Sequence, residues 1–186
     1  MDVANHSVTL ISIIVGLGLT ELLANLHRLF RARAHVRWDA LPFVWTAAIL
    51  VLLLNYWWSL VLGRDGSRLA HTAAQFGLLL IHPLLLFLLC ASVLPKASAE
   101  GVDMRAAYES ERQVFVWLFV LYMLGNWSLS LLINHQIIWT QSTVQRTIAS
   151  ILLVSLLFVK DRRWDWIAAA GVLIAVIWRI ATQAVR

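Results

Sequence analysis

The chain has 186 residues, of which 61% are hydrophobic and only 13% are charged. A water-soluble domain of this size cannot bury that much apolar surface, so the composition excludes an ordinary soluble protein. The net charge of +5 does not indicate a nucleic-acid-binding protein, because the basic residues flank apolar runs instead of lining one polar face. Cys90 is the only cysteine, which excludes intramolecular disulfides and cysteine-based zinc sites.

Six apolar runs follow one another along the chain. They cover residues 8–26, 41–62, 72–94, 113–133, 144–159 and 164–184. A helix needs about 20 apolar residues to cross the hydrocarbon core, and all runs except the fifth reach about that length. The fifth run is shorter and carries Arg146 near its start, which is compatible with a small tilt, local thinning of the bilayer or an outward extension of this side chain. We therefore predict an all-α integral membrane protein, a polytopic bundle of about six transmembrane helices in a single domain.

The distribution of basic residues predicts the orientation of this bundle. Ten of the 15 Lys and Arg residues fall on one side of the predicted membrane, and the richer side is normally cytoplasmic. Both termini are therefore predicted outside, with residues 95–112 as a cytoplasmic linker that is helical toward its end and continues into the fourth span. A group of arginines after the first span is expected to contact anionic lipid headgroups. These are Arg28, Arg31, Arg33 and Arg37.

The first span carries a polar face near its cytoplasmic end. Glu21, Asn25 and Arg28 are spaced i, i+4 and i+7, so a helix places them on one side. A carboxylate there can receive a proton or a cation and pass it toward the basic rim. The alternative is a helix-end ion pair of Glu21 with Arg28 or with an arginine of the following loop. Gly16 and Gly18 lie just before this face and would let another helix approach closely.

The third span carries Gln75 and His82 on one face, descending from the outer surface to the middle of the membrane. An imidazole titrates near neutral pH, and Pro83 beside it removes a backbone donor and kinks the helix. Two interpretations of His82 follow. It is either part of a proton relay or a neutral side chain that forms a hydrogen bond to a neighbouring helix.

Polar residues recur every four positions along the fourth span. They are Tyr122, Asn126, Ser130 and Asn134. Such a ridge can line a water-filled pathway, or it can join helices through hydrogen bonds worth roughly 1 kcal/mol each. Both interpretations fit the spacing.

The three polar faces lead to the main functional hypothesis, a small membrane channel or transporter that conducts protons or cations through the first, third and fourth spans. A bundle of six helices has thin walls around a pore, so a homo-oligomer is expected. The alternative is a structural or regulatory membrane subunit that binds a partner membrane subunit and has no transport activity of its own. The lipid bilayer of a bacterial inner membrane, or an equivalent membrane, is the expected environment.

Catalytic and cofactor sites are not expected from the sequence. It contains no Gly-x-Ser-x-Gly motif, no His-Glu-x-x-His motif and no histidine-rich metal motif, which disfavours a membrane enzyme. His27, His82 and His135 fall at different depths in the predicted bundle, so two of them could hardly face one haem iron.

Overall fold

The computed structural model describes residues 3–61, 73–95, 101–134 and 141–184. Over these ranges the chain forms six α-helices, which confirms the prediction of an all-α protein. They are α1 (Val3–Arg31), α2 (Ala40–Val61), α3 (Ala73–Ser92), α4 (Met104–Asn134), α5 (Gln141–Phe158) and α6 (Arg162–Ala184).

Three segments are long and apolar enough to cross a membrane, namely Val8–Arg31, Ala40–Leu60 and Arg162–Ala181. Two shorter apolar helical segments are Leu79–Ser92 and Thr143–Phe158. Two helices extend beyond the predicted apolar runs. α1 continues into the arginine-rich segment, and α4 begins inside the predicted linker, because helical hydrogen bonding does not stop where the side chains become polar.

Aspartate residues begin three helices. Asp39 precedes α2, Asp103 precedes α4, and Asp161 precedes α6. Asp103 Oδ1 accepts a hydrogen bond from the backbone N–H of Arg105 at 3.0 Å. Asp39 Oδ1 accepts one from Leu41 at 3.4 Å, and Asp161 Oδ1 accepts one from the residue two positions later at 3.0 Å. Since the first N–H groups of a helix lack intrahelical partners, these carboxylates stabilise the three helix starts.

A short parallel pairing brings two connecting segments together at this end of the bundle. β1 (Val36–Arg37) follows α1 and pairs with β2 (Val102–Asp103), which precedes α4. Arg37 Nη1 lies 3.6 Å from Asp103 Oδ2. The backbone hydrogen bond from Ala106, more than the neighbouring Arg37, holds the pKa of the Asp103 carboxyl below its usual value. We call this end of the bundle the inner end and the opposite end the outer end, after the predicted orientation.

Gly101 allows this pairing to form. It has a φ angle of +98°, and a Cβ atom added there would lie 2.9 Å from the carbonyl oxygen of His35. We expect Gly101→Ala to lower the free energy of unfolding by about 1 to 2 kcal/mol, because alanine disfavours this φ angle and meets the carbonyl. Gly77→Ala is the control, since nothing lies within 4 Å of a Cβ atom there. Chemical unfolding in detergent micelles would compare them, and equal effects would contradict the expectation.

α2 is the central helix. It packs against α1, α3 and α6, while α3 contacts α4 and α5 contacts both α4 and α6. The Trp45 ring of α2 meets the rings of Phe115 and Phe119 of α4 edge-on, at centroid distances of 5.3 and 5.6 Å. Half (50%) of the apolar segment of α2 is buried, compared with 28% in α1 and in α6. The surrounding helices therefore expose many large apolar side chains, as membrane insertion requires.

Candidate functional site

Three aromatic rings from three helices meet in the outer half of the bundle. His82 of α3 is only 3% exposed. Its imidazole stacks on the Tyr122 ring of α4 at a centroid distance of 4.4 Å and lies 5.5 Å from the Tyr56 ring of α2. The sequence predicted His82 and Tyr122 as members of separate polar faces, and the structure places them in contact. Tyr56 was missed, because nothing in its local spacing relates it to α3.

One nitrogen of the His82 imidazole is held against the backbone of α4. A Cβ atom added at Gly125 would lie 3.1 Å from His82 Nδ1, so glycine is the residue that lets the ring approach this closely. Nδ1 is buried and has no hydrogen-bond partner among the described residues. Each imidazole nitrogen can donate or accept one hydrogen bond, so His82 retains the capacity to bind a polar group.

Two arginines, one on α5 and one on α6, act electrostatically on the same histidine. The positive charges of Arg146 on α5 and Arg179 on α6 both lie within electrostatic range of the His82 imidazole. The guanidinium carbon of Arg146 lies 5.6 Å from the centroid of the Trp127 ring, within the range of a cation–π contact. We refer to Tyr56, His82, Tyr122, Arg146 and Arg179 as the outer cluster.

The sequence contains a signal for both arginines that helical spacing alone does not reveal. Arg146 is the only charged residue of α5, and Arg179 is the only one of α6 beyond its first turn. A lone charge inside an apolar helix is costly unless it faces protein or water. Both arginines were counted among the five basic residues on the outer side, and Arg146 was also interpreted as a side chain that extends outward.

The polar face of α1 forms as the spacing indicates. Asn25 Nδ2 donates a hydrogen bond to Glu21 Oε1 at 3.2 Å, and Arg28 Nη2 lies 4.0 Å from the same oxygen. Asn25 is 1% exposed, and its Oδ1 atom has no hydrogen-bond partner among the described residues. Glu21 is half-buried. The hydrogen bond and the longer ion pair together hold the carboxylate toward the inner end of α1.

A buried ion pair at the inner end joins three helices. Arg112 of α4 donates to Asp165 of α6, with Nη2 at 2.7 Å from Oδ1 and Nε at 3.0 Å from both carboxylate oxygens. Its Nη2 atom also donates to the carbonyl oxygens of Leu156 (3.1 Å) and Val159 (2.8 Å) at the end of α5. Asp165 is 4% exposed. In the sequence, Arg112 counts only toward the predicted orientation, and no spacing indicates Asp165 as its partner.

More exposed ion pairs surround this buried one. Arg162 of α6 binds Asp39, which precedes α2, and its Nη1 lies 3.6 Å from Glu109 Oε1 of α4. Glu109 also accepts a hydrogen bond from Arg105 at 2.9 Å. Exposed pairs of this kind contribute little individually. As a network they fix the inner ends of α2, α4 and α6 against one another.

An apolar layer separates the outer cluster from these inner charges. Three helices each have buried apolar side chains between a residue of the outer cluster and a charged residue at the inner end. These pairs are Tyr56 and Asp39 for α2, Tyr122 and Arg112 for α4, and Arg179 and Asp165 for α6. The apolar side chains are Trp45, Ile49 and Leu53 on α2, Phe115 and Phe119 on α4, and Ala168, Val172 and Val176 on α6. The one buried hydroxyl in this stretch of α2, that of Thr46, donates to the carbonyl oxygen of Pro42 in its own helix. Among the described side chains of α2, α4 and α6, the polar groups therefore form two separate sites in this conformation.

The remaining predicted site residues are placed as follows. Asn126 is partly buried, one turn beyond Tyr122. The side chains of Gln75, Ser130 and Asn134 lie outside the part of the chain that the structure describes. The predicted headgroup-contact arginines are all exposed at the inner end, namely Arg28, Arg31, Arg33 and Arg37. Their contact with lipid stays a prediction.

Neither a metal site nor a known relative identifies the outer cluster. In the described ranges, no three His, Cys, Asp or Glu residues come together as a metal site would require. Comparison of the chain with protein-family models, with curated proteins and with solved structures found no match. Any functional conclusion therefore depends on the chemistry of the side chains themselves.

Proposed function

We propose that this protein is a small multi-pass membrane transporter with the outer cluster as its substrate site. The observation that carries the proposal is His82, an ionisable side chain that is buried against the rings of Tyr56 and Tyr122. Ionisable side chains inside a membrane bundle cost free energy and commonly serve the path of an ion or substrate.

The apolar layer supports a transporter more than an open channel. A channel needs a continuous polar or wet path, whereas a transporter exposes one central site alternately to the two sides. Glu21 and Asn25 form a second polar site toward the inner end. In this proposal, protons or cations move between Glu21 and the outer cluster, as the polar faces in the sequence predict. Asn126 lies beside that path.

All six helices span the bilayer in this proposal, with both termini outside and the ion pairs at the cytoplasmic surface of a bacterial inner membrane or an equivalent membrane. Aspartates mark the starts of α2, α4 and α6. These three helices all begin at the inner end, as they must if successive helices alternate in direction across the bilayer. α3 has 20 residues, which at about 1.5 Å per residue matches the thickness of the hydrocarbon core. Assembly into a homo-oligomer is part of the same proposal.

Flux through purified protein in liposomes tests this function. Proton and potassium flux would be followed after a pH step, under both signs of membrane potential. We expect Glu21→Gln and His82→Ala each to abolish the flux of the wild type, because each removes an ionisable side chain from one of the two polar sites. Glu111→Gln is the control, since this carboxylate is exposed at the inner end. Full activity in both test variants, with each protein monodisperse in detergent, would contradict the proposed path.

A structural or regulatory membrane subunit is the second candidate, and the contacts between helices favour it. Trp127 Nε1 donates to Ser150 Oγ at 3.2 Å between α4 and α5, and Arg112 joins α4, α5 and α6. Polar groups used in this way stabilise a bundle without conducting anything. A well-folded wild type without flux that is purified together with a partner subunit in mild detergent would favour this candidate over a transporter.

A further inference from the structure

We propose that the side chains of Glu21 and Asn25, together with the carbonyl oxygens that end α3, bind a monovalent alkali cation, sodium or potassium. This inference deepens the proposed function, because it names the cation at the second polar site, and it rests on that function only for the transport of the ion. Binding can be measured without any flux, so the two proposals can be separated by experiment.

The buried amide of Asn25 is the group that points to a ligand. Asn25 is 1% exposed, and its Oδ1 atom has no hydrogen-bond partner among the described residues. A buried oxygen without a donor is unfavourable unless something binds it. The Nδ2 atom of the same amide donates to Glu21 Oε1 at 3.2 Å, and Oδ1 shares a carbon atom with Nδ2. The amide oxygen therefore lies beside the carboxylate, and oxygen atoms of these two kinds are the ligands that hard cations prefer.

Asn25 lies on the face of α1 that meets α3. This contact is closest at Gly18, where an added Cβ atom would lie 3.5 Å from Cys90 Sγ and 3.6 Å from the Cα atom of Phe87. Asn25 follows Gly18 by seven residues, so two helical turns return it to the same face. α1 also packs against α3 more extensively than against α2. The buried amide is therefore directed toward α3 and not toward lipid.

The two side chains lie at the depth where α3 ends. Both α1 and α3 run toward the pairing of β1 with β2, so the two helices have the same direction. α3 ends at Ser92, only a few residues beyond its contact with Gly18. Counted along α1 from Gly18 at about 1.5 Å per residue, Glu21 and Asn25 lie on either side of that depth. The last carbonyl groups of α3 are therefore at the level of the carboxylate and the amide.

The end of α3 offers carbonyl oxygens that lack helical donors. Ala91 follows Phe87 by one turn, so it lies on the face that meets α1. The N–H group that would normally bind the Ala91 carbonyl belongs to the residue four positions later, and this residue is Pro95, which has none. The last turn of a helix also carries a partial negative charge. This helix end would therefore attract a cation held by the two side chains of α1.

The charge of the site matches a monovalent ion. Glu21 is the only acidic residue of α1, and the amide and carbonyl oxygens are neutral, whereas divalent sites commonly use several carboxylates. Arg28 Nη2 lies 4.0 Å from Glu21 Oε1, and its side chain is 49% exposed. Such a pair is weak. Both the Arg28 and the Asn25 contacts involve Oε1, which leaves Oε2 for a cation. Carbonyl groups at helix C-termini coordinate sodium in many transporters.

Retention of a radioactive alkali cation by purified protein in detergent tests the site, with choline chloride keeping the ionic strength constant. Sodium and rubidium are the probes, and rubidium stands in for potassium. We expect the wild type to retain at least one of them saturably. Glu21→Gln removes the charge and Asn25→Leu removes the amide oxygen at similar size, so each should raise the dissociation constant at least about tenfold. Glu111→Gln is the control, since this carboxylate is exposed at the inner end.

Arg28→Gln is expected to act in the opposite direction. It removes the positive charge 4.0 Å from the carboxylate and keeps every proposed oxygen ligand. The dissociation constant for the retained cation should therefore fall at least about threefold. Arg163→Gln, which removes an exposed positive charge elsewhere at the inner end, should leave it unchanged. Circular dichroism without the cation would verify that each variant is folded.

Two results would overturn the inference. One is the absence of saturable retention by the folded wild type for both cations. The other is equal retention by the wild type, Glu21→Gln and Asn25→Leu. Retention that follows the expected order without any flux in liposomes would keep the cation site and contradict the transporter. Proton flux that depends on His82, without retention of either cation, would keep the transporter and overturn the cation site.

Discussion

Replacing Asp165 by asparagine is expected to lower the free energy of unfolding by about 3 kcal/mol, the loss typical of breaking a buried ion pair at one partner. The carboxylate side chain is 6% exposed and the Arg112 side chain 14% exposed. Asparagine keeps nearly the same size but leaves the guanidinium buried without its counter-charge. The cost therefore comes mainly from the arginine that remains, and less from the hydrogen bonds that are lost.

Loss of the ion pair between Arg112 and Asp165 affects three helices, because Arg112 contacts all three. Its guanidinium binds Asp165 of α6 and also donates to the carbonyl oxygens of Leu156 and Val159. The last carbonyl groups of a helix have no intrahelical partners, so Arg112 acts as a cap for α5. We expect Arg112→Ala to destabilise the protein at least as much as Asp165→Asn, because it leaves a buried carboxylate and uncapped carbonyls.

Equilibrium unfolding in mixed micelles, followed by circular dichroism, measures both effects. Glu111→Gln serves as the matched control, since it also converts an acid to an amide but at an exposed position. It should change stability by less than about 0.5 kcal/mol. Replacing Arg112 and Asp165 together by leucine should recover part of the loss, because no charge remains buried. Similar stabilities for Asp165→Asn and Glu111→Gln would show that the pair is not buried in the membrane-embedded protein.

The sequence predicts the helices of this protein better than the contacts between them. Apolar runs of sufficient length indicated six helices, because the thickness of a bilayer and the rise of a helix restrict the possible structures. The start of α4 at Met104 was not resolved by this argument, since the first turns of α4 are polar. Asp103, which caps that helix, lies in the segment that was interpreted as a linker.

The candidate site was predicted only where neighbouring residues share one helix. The i, i+4 spacing of Glu21 and Asn25 corresponds to an observed hydrogen bond. Arg112 and Asp165 are 53 residues apart, and helical spacing carries no information about such a pair. The same holds for Arg146, whose relation to the third helix depends on how the helices pack. Sequence reasoning therefore supplied His82 and Tyr122 as candidates and missed the charges around them.

Gly18 and Gly16 form a second test of the fold, because they are close in sequence and differ in environment. A Cβ atom added at Gly18 would lie 3.2 Å from Leu53 Cδ1 and 3.6 Å from the Cα atom of Phe87. Nothing lies within 4 Å of a Cβ atom added at Gly16. The sequence indicated that either glycine could allow a close helix approach, and the structure assigns the approach to Gly18, between α1 and its neighbours α2 and α3.

We expect Gly18→Leu to lower the free energy of unfolding by about 3 kcal/mol, at the upper end of the usual cost of overpacking. The Leu53 side chain can rotate away, but the Phe87 Cα atom belongs to the backbone of α3, so α1 itself must move outward. Gly18→Ala should lower the free energy of unfolding less, because alanine adds only a Cβ atom. Gly16→Leu should change stability by less than about 0.5 kcal/mol. The same micelle unfolding measurement compares the three, and a Gly16→Leu loss as large as that of Gly18→Leu would place the α1 contact on the other side of the helix.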